Sequence, residues 1–202
     1  FGFSRSLYVV DLGQSLHFQE WFAVAKLLQR PYADKLRHIG FGVVLIWNDE
    51  DSAWAKGRTR GGKIMLLREV LDEAIERAAA IVADKNPDLA ADERAAIARA
   101  VGIGAVVFND LKNGRTGDVK FKFEEALRFD GETGPYLQFA HARLCSIERK
   151  AEHRTGGAPA HLTSEGEKTV LLAIARLQGA LERAVELDEP SVLAQALLSL
   201  AS

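Results

Sequence analysis

The sequence predicts an α/β region followed by an all-α region, a partial parallel sheet joined to a helical bundle. Three observations carry this. Strand-like apolar runs at residues 7–11 and 38–47 flank an amphipathic helical stretch, the spacing of a strand, a crossover helix and a second, parallel strand. From residue 64 onward apolar positions recur mainly at helical period. Beyond residue 92 the strand-like pattern is confined to Val119, Phe121 and Phe123 alternating with Lys120 and Lys122, which suits one short half-buried edge strand.

Taken in order, Leu7 to Asp11 reads as a buried strand, and after Gly13 a helix presents Phe18, Trp21, Phe22, Ala25 and Leu28 on one face. The second strand, His38 to Trp47, completes a βαβ unit whose crossover is expected to be right-handed. Asn48 to Lys63 is polar and carries Gly57, Gly61 and Gly62, so a loop is expected before a long helix with Val70, Leu71, Ala74, Ile75, Ala78 and Val82 inward. Asn86-Pro87 breaks that helix, and another begins near Asp92, in which Gly102 and Gly104 mark a kink or a close helix approach. Asn113-Gly114 is a turn. Gly131 and Gly134 are expected at positive φ, with Pro135 at the first helical position and a helix from Tyr136. Residues 156–161 form a linker, Ser164 and Glu167 a capping box, and Val170, Ile174, Leu177, Leu181 and Val185 the face of the helix that follows. A last helix starts near Pro190. The domain boundary falls between about residues 64 and 92, with the long helix bridging the parts.

A chain of 202 residues that is 48% hydrophobic can bury a sizeable core. Cys145 is the only cysteine, so no internal disulfide or C-x-x-C site forms, and a reducing, cytoplasmic setting is expected. His17, His38, His141, His153 and His161 lack the i, i+4 spacing of helical metal ligands, and no protein-bound metal is expected. The longest apolar runs fall far short of the roughly 20 residues that cross a bilayer. A net charge of −2 gives no global basic footprint, so any RNA contact must come from local patches. The chain opens at Phe1 and enters a strand almost at once, which suggests a cut N-terminus.

Candidate chemistry gathers at the end of the first strand. Ligands of open α/β sheets bind outside the carboxyl ends of the strands, where Asp11, Gly13, Gln14 and His17 sit. Gln14 offers an amide oxygen and an NH₂ group, and His17 lies one turn later on the same face; a helix-capping glutamine and a core histidine fit the same pattern. Residues 57–62, G-R-T-R-G-G, make a glycine-rich cationic loop suited to phosphates or to solvent. In the helix from Tyr136, one stripe carries Arg143, Ile147, Lys150 and Arg154, and another carries Leu137, His141, Leu144 and Cys145. This gives a basic face and a core face; a merely solvated cationic side has the same periodicity. Arg143, Arg149, Lys150 and Arg154 are the RNA candidates, with Arg115 and Lys120 behind them and with Tyr136 or Phe139 to stack an unpaired base.

Three ordered segments resemble arginyl-tRNA synthetase, a class I aminoacyl-tRNA synthetase: Y-V-V-D-L-G-Q-S-L-H-F (8–18), A-R-A-V-G-I-G-A-V-V-F-N-D-L (98–111) and D-G-E-T-G-P-Y-L-Q-F-A-H-A-R-L-C-S-I-E-R-K-A (130–151). The resemblance implies the second half of a Rossmann-like catalytic domain over residues 1–75 and a helical anticodon-binding domain, cut short, over 76–202. It implies ATP, as its magnesium complex, L-arginine and tRNA(Arg) as partners, no membrane, and an arginyl-adenylate intermediate. Gln14 matches a glutamine that contacts substrate arginine, while His17 falls near the ribose or adenylate. Residues 38–44 match an H-x-x-F-G-x-V run that brings Gly42 and Val43 close to adenine. The loop at 57–62 stands where the family carries K-M-S-K-S or S-T-R-K-G; Thr59, Arg60 and Gly62 agree, Arg58 replaces a small residue and Gly61 a lysine. His38-Ile39-Gly40 imitates the H-I-G-H signature but leads into a strand, so it is read as coincidence. With that signature absent, the chain alone is expected to be inactive, and its cut sheet is expected to lead to self-association or to a poorly ordered first part, whereas the full-length enzyme is expected to be monomeric. The alternative is a noncatalytic paralogue that binds tRNA or a partner.

Overall fold

The computed structural model describes residues 2–48, 53–56, 66–151 and 164–202. Strand β1 (Ser6–Asp11) leads through a 3-10 turn (Leu12–Gln14) into helix α1 (Ser15–Leu27) and back to strand β2 (Leu36–Phe41). β1 and β2 pair in parallel, from Ser6 opposite Leu36 to Asp11 opposite Phe41, which is the strand, helix, strand unit expected from the sequence. The second strand does not run on to Trp47. It stops at Phe41, and β3 (Val44–Asn48) belongs to a separate sheet of order β4-β3-β5. The division falls at Gly42, where a Cβ would lie 2.2 Å from the Gly117 carbonyl oxygen, so the chain passes another backbone that no side chain would admit.

β4 (Ala53–Lys56) pairs antiparallel with β3, with Trp47 opposite Trp54. This strand lies inside the stretch expected to be loop, where only Trp54 advertises it. β5 (Val119–Phe121) pairs in parallel with β3 at the other edge, as the alternation of Val119 and Phe121 with lysine predicts. The sheets are thus a parallel pair and a mixed triplet rather than one partial parallel sheet.

Helices α2 (Leu67–Lys85) and α3 (Ala91–Leu111) form an antiparallel hairpin closed at Asn86–Pro87. They meet along a seam of small side chains in which Ala74, Ala78, Ala98 and Ala105 are essentially inaccessible. Gly102 makes this approach possible: a Cβ there would fall 2.7 Å from both Cα and N of Ile75. α3 runs through Gly102 and Gly104 unbroken, so close approach, not a kink, explains them. One core joins Val70, Ala74, Ala78 and Val82 of α2 to Ala98, Val101 and Ala105 of α3, to Phe121, and to Phe123 and Ala126 of the short helix α4 (Phe123–Ala126). That core takes in α2 residues on both sides of residue 75, Val70 and Ala74 before it and Ala78 and Val82 after it.

Helix α5 (Gly134–Lys150) begins two residues earlier than its periodicity suggests, with Thr133 as its cap: the hydroxyl accepts from the Tyr136 N–H at 3.1 Å and donates to the Arg128 carbonyl at 2.6 Å. Gly131 has φ +70°, as expected. Gly134 does not have positive φ; its small size is needed because a Cβ would sit 2.6 Å from the Gly104 carbonyl oxygen, where α5 crosses α3. Helix α6 (Glu165–Leu187) carries the predicted capping box, Ser164 and Glu167 exchanging bonds of 3.2 and 2.9 Å, and α7 (Pro190–Ala201) packs back on it. Three apolar faces expected to be inward are open. Val9 on β1, Leu144 on α5, and Val170, Ile174, Leu181 and Val185 on α6 are all about half exposed or more. Among the described residues no helix is long and apolar enough to cross a membrane.

Candidate functional site

Parallel pairing dictates which residues meet. Asp11 lies opposite Phe41, so the turn after β1 and the glycine after β2 share one carboxyl edge of the two-stranded sheet. The Asp11 carboxylate caps that turn by accepting from the Gly13 N–H at 2.7 Å, and Ser15 Oγ donates to the Leu12 carbonyl at 2.6 Å. Gln14 sits between them at the head of α1, exposed, and its side chain caps nothing. A helix-capping role for Gln14 is therefore set aside, and its amide has no hydrogen-bond partner among the described residues. His17 is exposed one turn on, its ring 5.6 Å from that of Phe18, and is no core histidine. Among the described histidines, the one built into the structure is His38. Its ring stacks on Phe18 at 4.6 Å and its Nε2 lies 3.1 Å from the Val10 carbonyl oxygen, within a strand. That placement agrees with reading His38-Ile39-Gly40 as a coincidental signature.

Gly42 and Val43 lie beside this edge, with their N–H groups already engaged: Gly42 donates to the Arg115 carbonyl at 2.8 Å, and Val43 to the Asp118 carboxylate at 3.0 Å. Neither residue therefore offers a free backbone donor. Arg58, Thr59, Arg60 and Gly62 lie outside the described residues, as does Arg154. Lys56, the last described residue before the 57–62 run, pairs with Leu45, three positions from Gly42.

The basic candidates on α5 separate into distinct environments. Arg143, Arg149 and Lys150 are exposed, and the Arg143 guanidinium sits 5.8 Å from the Phe139 ring centre. Phe139 is itself 47% exposed, which makes this pair, rather than Tyr136, the open aromatic surface of the helix. Tyr136 is half-buried and its hydroxyl donates to the Ala201 carbonyl at 2.7 Å. Arg115 is no surface cation either. Its half-buried guanidinium bonds to the Gly40 and Asp188 carbonyls, a connection that spans too much sequence for any local pattern to reveal.

Residues 2–123 match the family model described as tRNA synthetases class I (R), catalytic domain, and residues 137–202 match the DALR anticodon binding domain. The chain belongs to the class I arginyl-tRNA synthetase family. Arginine–tRNA ligase 2 of Bacillus anthracis is 41% identical over 201 residues, an alignment that covers all of this chain and 34% of that protein. Arginine–tRNA ligase of Enterococcus faecalis is 40% identical over 202 residues with the same coverage. Among solved structures, Thermus thermophilus arginyl-tRNA synthetase superposes with a TM-score of 0.82 at 36% identity, over 98% of this chain and 32% of that one. The chain spans about a third of the length of these synthetases. In synthetase terms, the first match runs from before β1 into α4 and the second covers nearly all of α5 and the whole of α6 and α7.

Proposed function

We propose that these residues supply the arginine- and nucleotide-facing edge and part of the tRNA-binding wall of a cytoplasmic arginine–tRNA ligase. The observation that supports this best is the shared carboxyl edge, which carries both the Gly42 corner and Gln14, whose amide has no hydrogen-bond partner among the described residues, in a chain of this family. In this reading the carboxylate of arginine attacks the α-phosphorus of ATP, pyrophosphate leaves, and a terminal ribose hydroxyl of tRNA(Arg) then displaces AMP from the arginyl-adenylate. Gln14 binds the substrate guanidinium, and His17 with the Gly42–Val43 backbone borders the nucleoside. Arg58, Thr59, Arg60 and Gly62 act on the phosphates of magnesium-bound ATP. Catalysis of this kind rests on positioning and charge stabilisation, with no covalent enzyme intermediate. The division at residues 75 and 76 makes α2 the element shared by both domains.

A second reading, a noncatalytic paralogue that retains tRNA or partner binding, has Gly61 in its favour, since a lysine is missing from the phosphate loop. Charging of tRNA(Arg) with labelled arginine by the full-length protein separates the two: ligase activity supports the first, and its absence with retained tRNA binding the second.

Two expected results belong to this reading. Arg143→Ala in the full-length protein is expected to weaken tRNA(Arg) binding several-fold at low salt without lowering the unfolding midpoint, since a guanidinium this exposed contributes little to folding. Filter binding checks the first part, and unchanged affinity would count against it. The 202-residue chain alone is expected to be inactive and to sediment as species heavier than 22.1 kDa, because open apolar faces on β1, α5 and α6 favour burial against another copy. A clean monomer would contradict that expectation. The full-length ligase, with those faces covered, is expected to be monomeric.

A further inference from the structure

We infer that Arg115 is a positioning residue that ties the α6–α7 corner to the carboxyl end of β2 and thereby fixes the Gly42 backbone. The inference rests on the reading above that Gly42 and Val43 border the nucleotide. Arg115 touches both sides at once. Toward β2, its Nη1 donates to the Gly40 carbonyl at 2.8 Å and its own carbonyl accepts the Gly42 N–H at 2.8 Å. Toward the corner, its Nε donates to the Asp188 carbonyl at 3.1 Å, and its N–H is shared between the two Glu189 carboxylate oxygens at 3.3 Å each. Ser191 Oγ donates to that carboxylate at 2.9 Å and so steadies it.

The corner is shaped for this contact. Asp188 closes α6 in the left-handed conformation at φ 51°, one of two non-glycine residues at positive φ among those described. The turn sends its carbonyl to Arg115 and its carboxylate to Arg5, 3.1 Å away, immediately before β1. A cavity of about 420 Å³ lies beside the contact, with Gln19, Arg37, His38, Gly40, Arg115 and Asp188 in its wall. Gly42 cannot take up slack by itself, because the Gly117 carbonyl stands where its Cβ would be. A shift of the α6–α7 corner, in the anticodon-binding match, is therefore passed through one arginine to the strand end in the catalytic match.

Arg5 provides the control. It holds the same Asp188, yet it enters the sheet at the amino end of β1, away from Gly42. In the full-length protein, Arg115→Ala is expected to speed hydrogen exchange of the Gly42 amide about tenfold, the usual size of losing a hydrogen bond to a charged group. The same variant is expected to raise the KM for ATP about tenfold while leaving that for arginine within about twofold. Arg5→Ala is expected to change neither. Arg115→Lys, which keeps the charge but not the fork, should resemble Arg115→Ala, and Glu189→Gln provides a milder variant if either fails to fold. Unchanged Gly42 exchange in Arg115→Ala, Arg115→Lys and Glu189→Gln alike would overturn the inference whatever the enzyme does. Faster exchange with both KM values unchanged, or moving together, would overturn the positioning role. If the unaltered protein activates no arginine, the proposed function fails instead, and exchange at Gly42, which needs no nucleotide, decides the tie on its own.

Discussion

Gly102→Val is expected to unfold the α2–α3 hairpin, or to lower stability by at least the 1–3 kcal/mol typical of overpacking a core. The added Cβ would fall 2.7 Å from Cα and N of Ile75 and 2.8 Å from the Ala74 carbonyl carbon. These atoms are backbone of a helix and cannot swing aside as the end of a side chain would. Relief requires separating the helices, which opens the seam formed by Ala74, Ala78, Ala98 and Ala105 and uncovers the core that also holds Phe121 and Phe123. With total stabilities of about 5–15 kcal/mol, such a loss is a large fraction of the whole. Urea unfolding followed by circular dichroism checks it, with Gly114→Ala as control because a Cβ there meets nothing within 4 Å. An unchanged midpoint for Gly102→Val would refute the account of the seam.

Gln14→Ala in the full-length protein is expected to raise the KM for arginine by roughly ten- to a hundredfold, the effect of removing a hydrogen bond to a charged group worth about 1.5–3 kcal/mol. The unfolding midpoint should not move, since the side chain is exposed and bonds to none of the described residues. The helix start is kept by Asp11 and Ser15, whose bonds do not involve the Gln14 amide. An unchanged KM for arginine, or a loss of stability in step with activity, would sink the role assigned to Gln14.

Local chemistry made much of this fold legible. The strand, helix, strand order, the stop at Asn86–Pro87, the Ser164–Glu167 box and the β5 alternation each depend on residues within a few positions of one another, and each is present. What escaped depends on distance. The break at Gly42 is set by Gly117, 75 positions away, so Phe41 to Trp47 reads as continuous strand until the other backbone is in place. Gly134 looks like a turn glycine, yet it is needed for contact with Gly104. Periodicity marks apolar stripes on α5 and α6 but does not say whether anything covers them: the stripe expected to be the core face of α5 leaves His141 and Leu144 exposed, and Ile174 on α6 is exposed as well.

The candidate site divides the same way. Gln14 and His17 are candidates from their place after a strand, and the structure adds that neither is consumed by capping or core packing. Gly42 and Val43 are candidates by resemblance, whereas the tie of Gly42 through Arg115 to Asp188 and Glu189, and of Val43 to Asp118, joins residues more than 70 positions apart. Arg115, a weaker RNA candidate by charge, is half-buried and bonded to the Gly40 and Asp188 carbonyls.

The most direct measurement is amino-acid-dependent exchange of labelled pyrophosphate into ATP by the full-length protein in the presence of tRNA(Arg). Exchange supported by arginine and not by lysine or citrulline is the predicted result, since the proposed site activates arginine as its adenylate and selects a guanidinium. No exchange with arginine, under conditions where the protein is folded and binds tRNA(Arg), would contradict the ligase account.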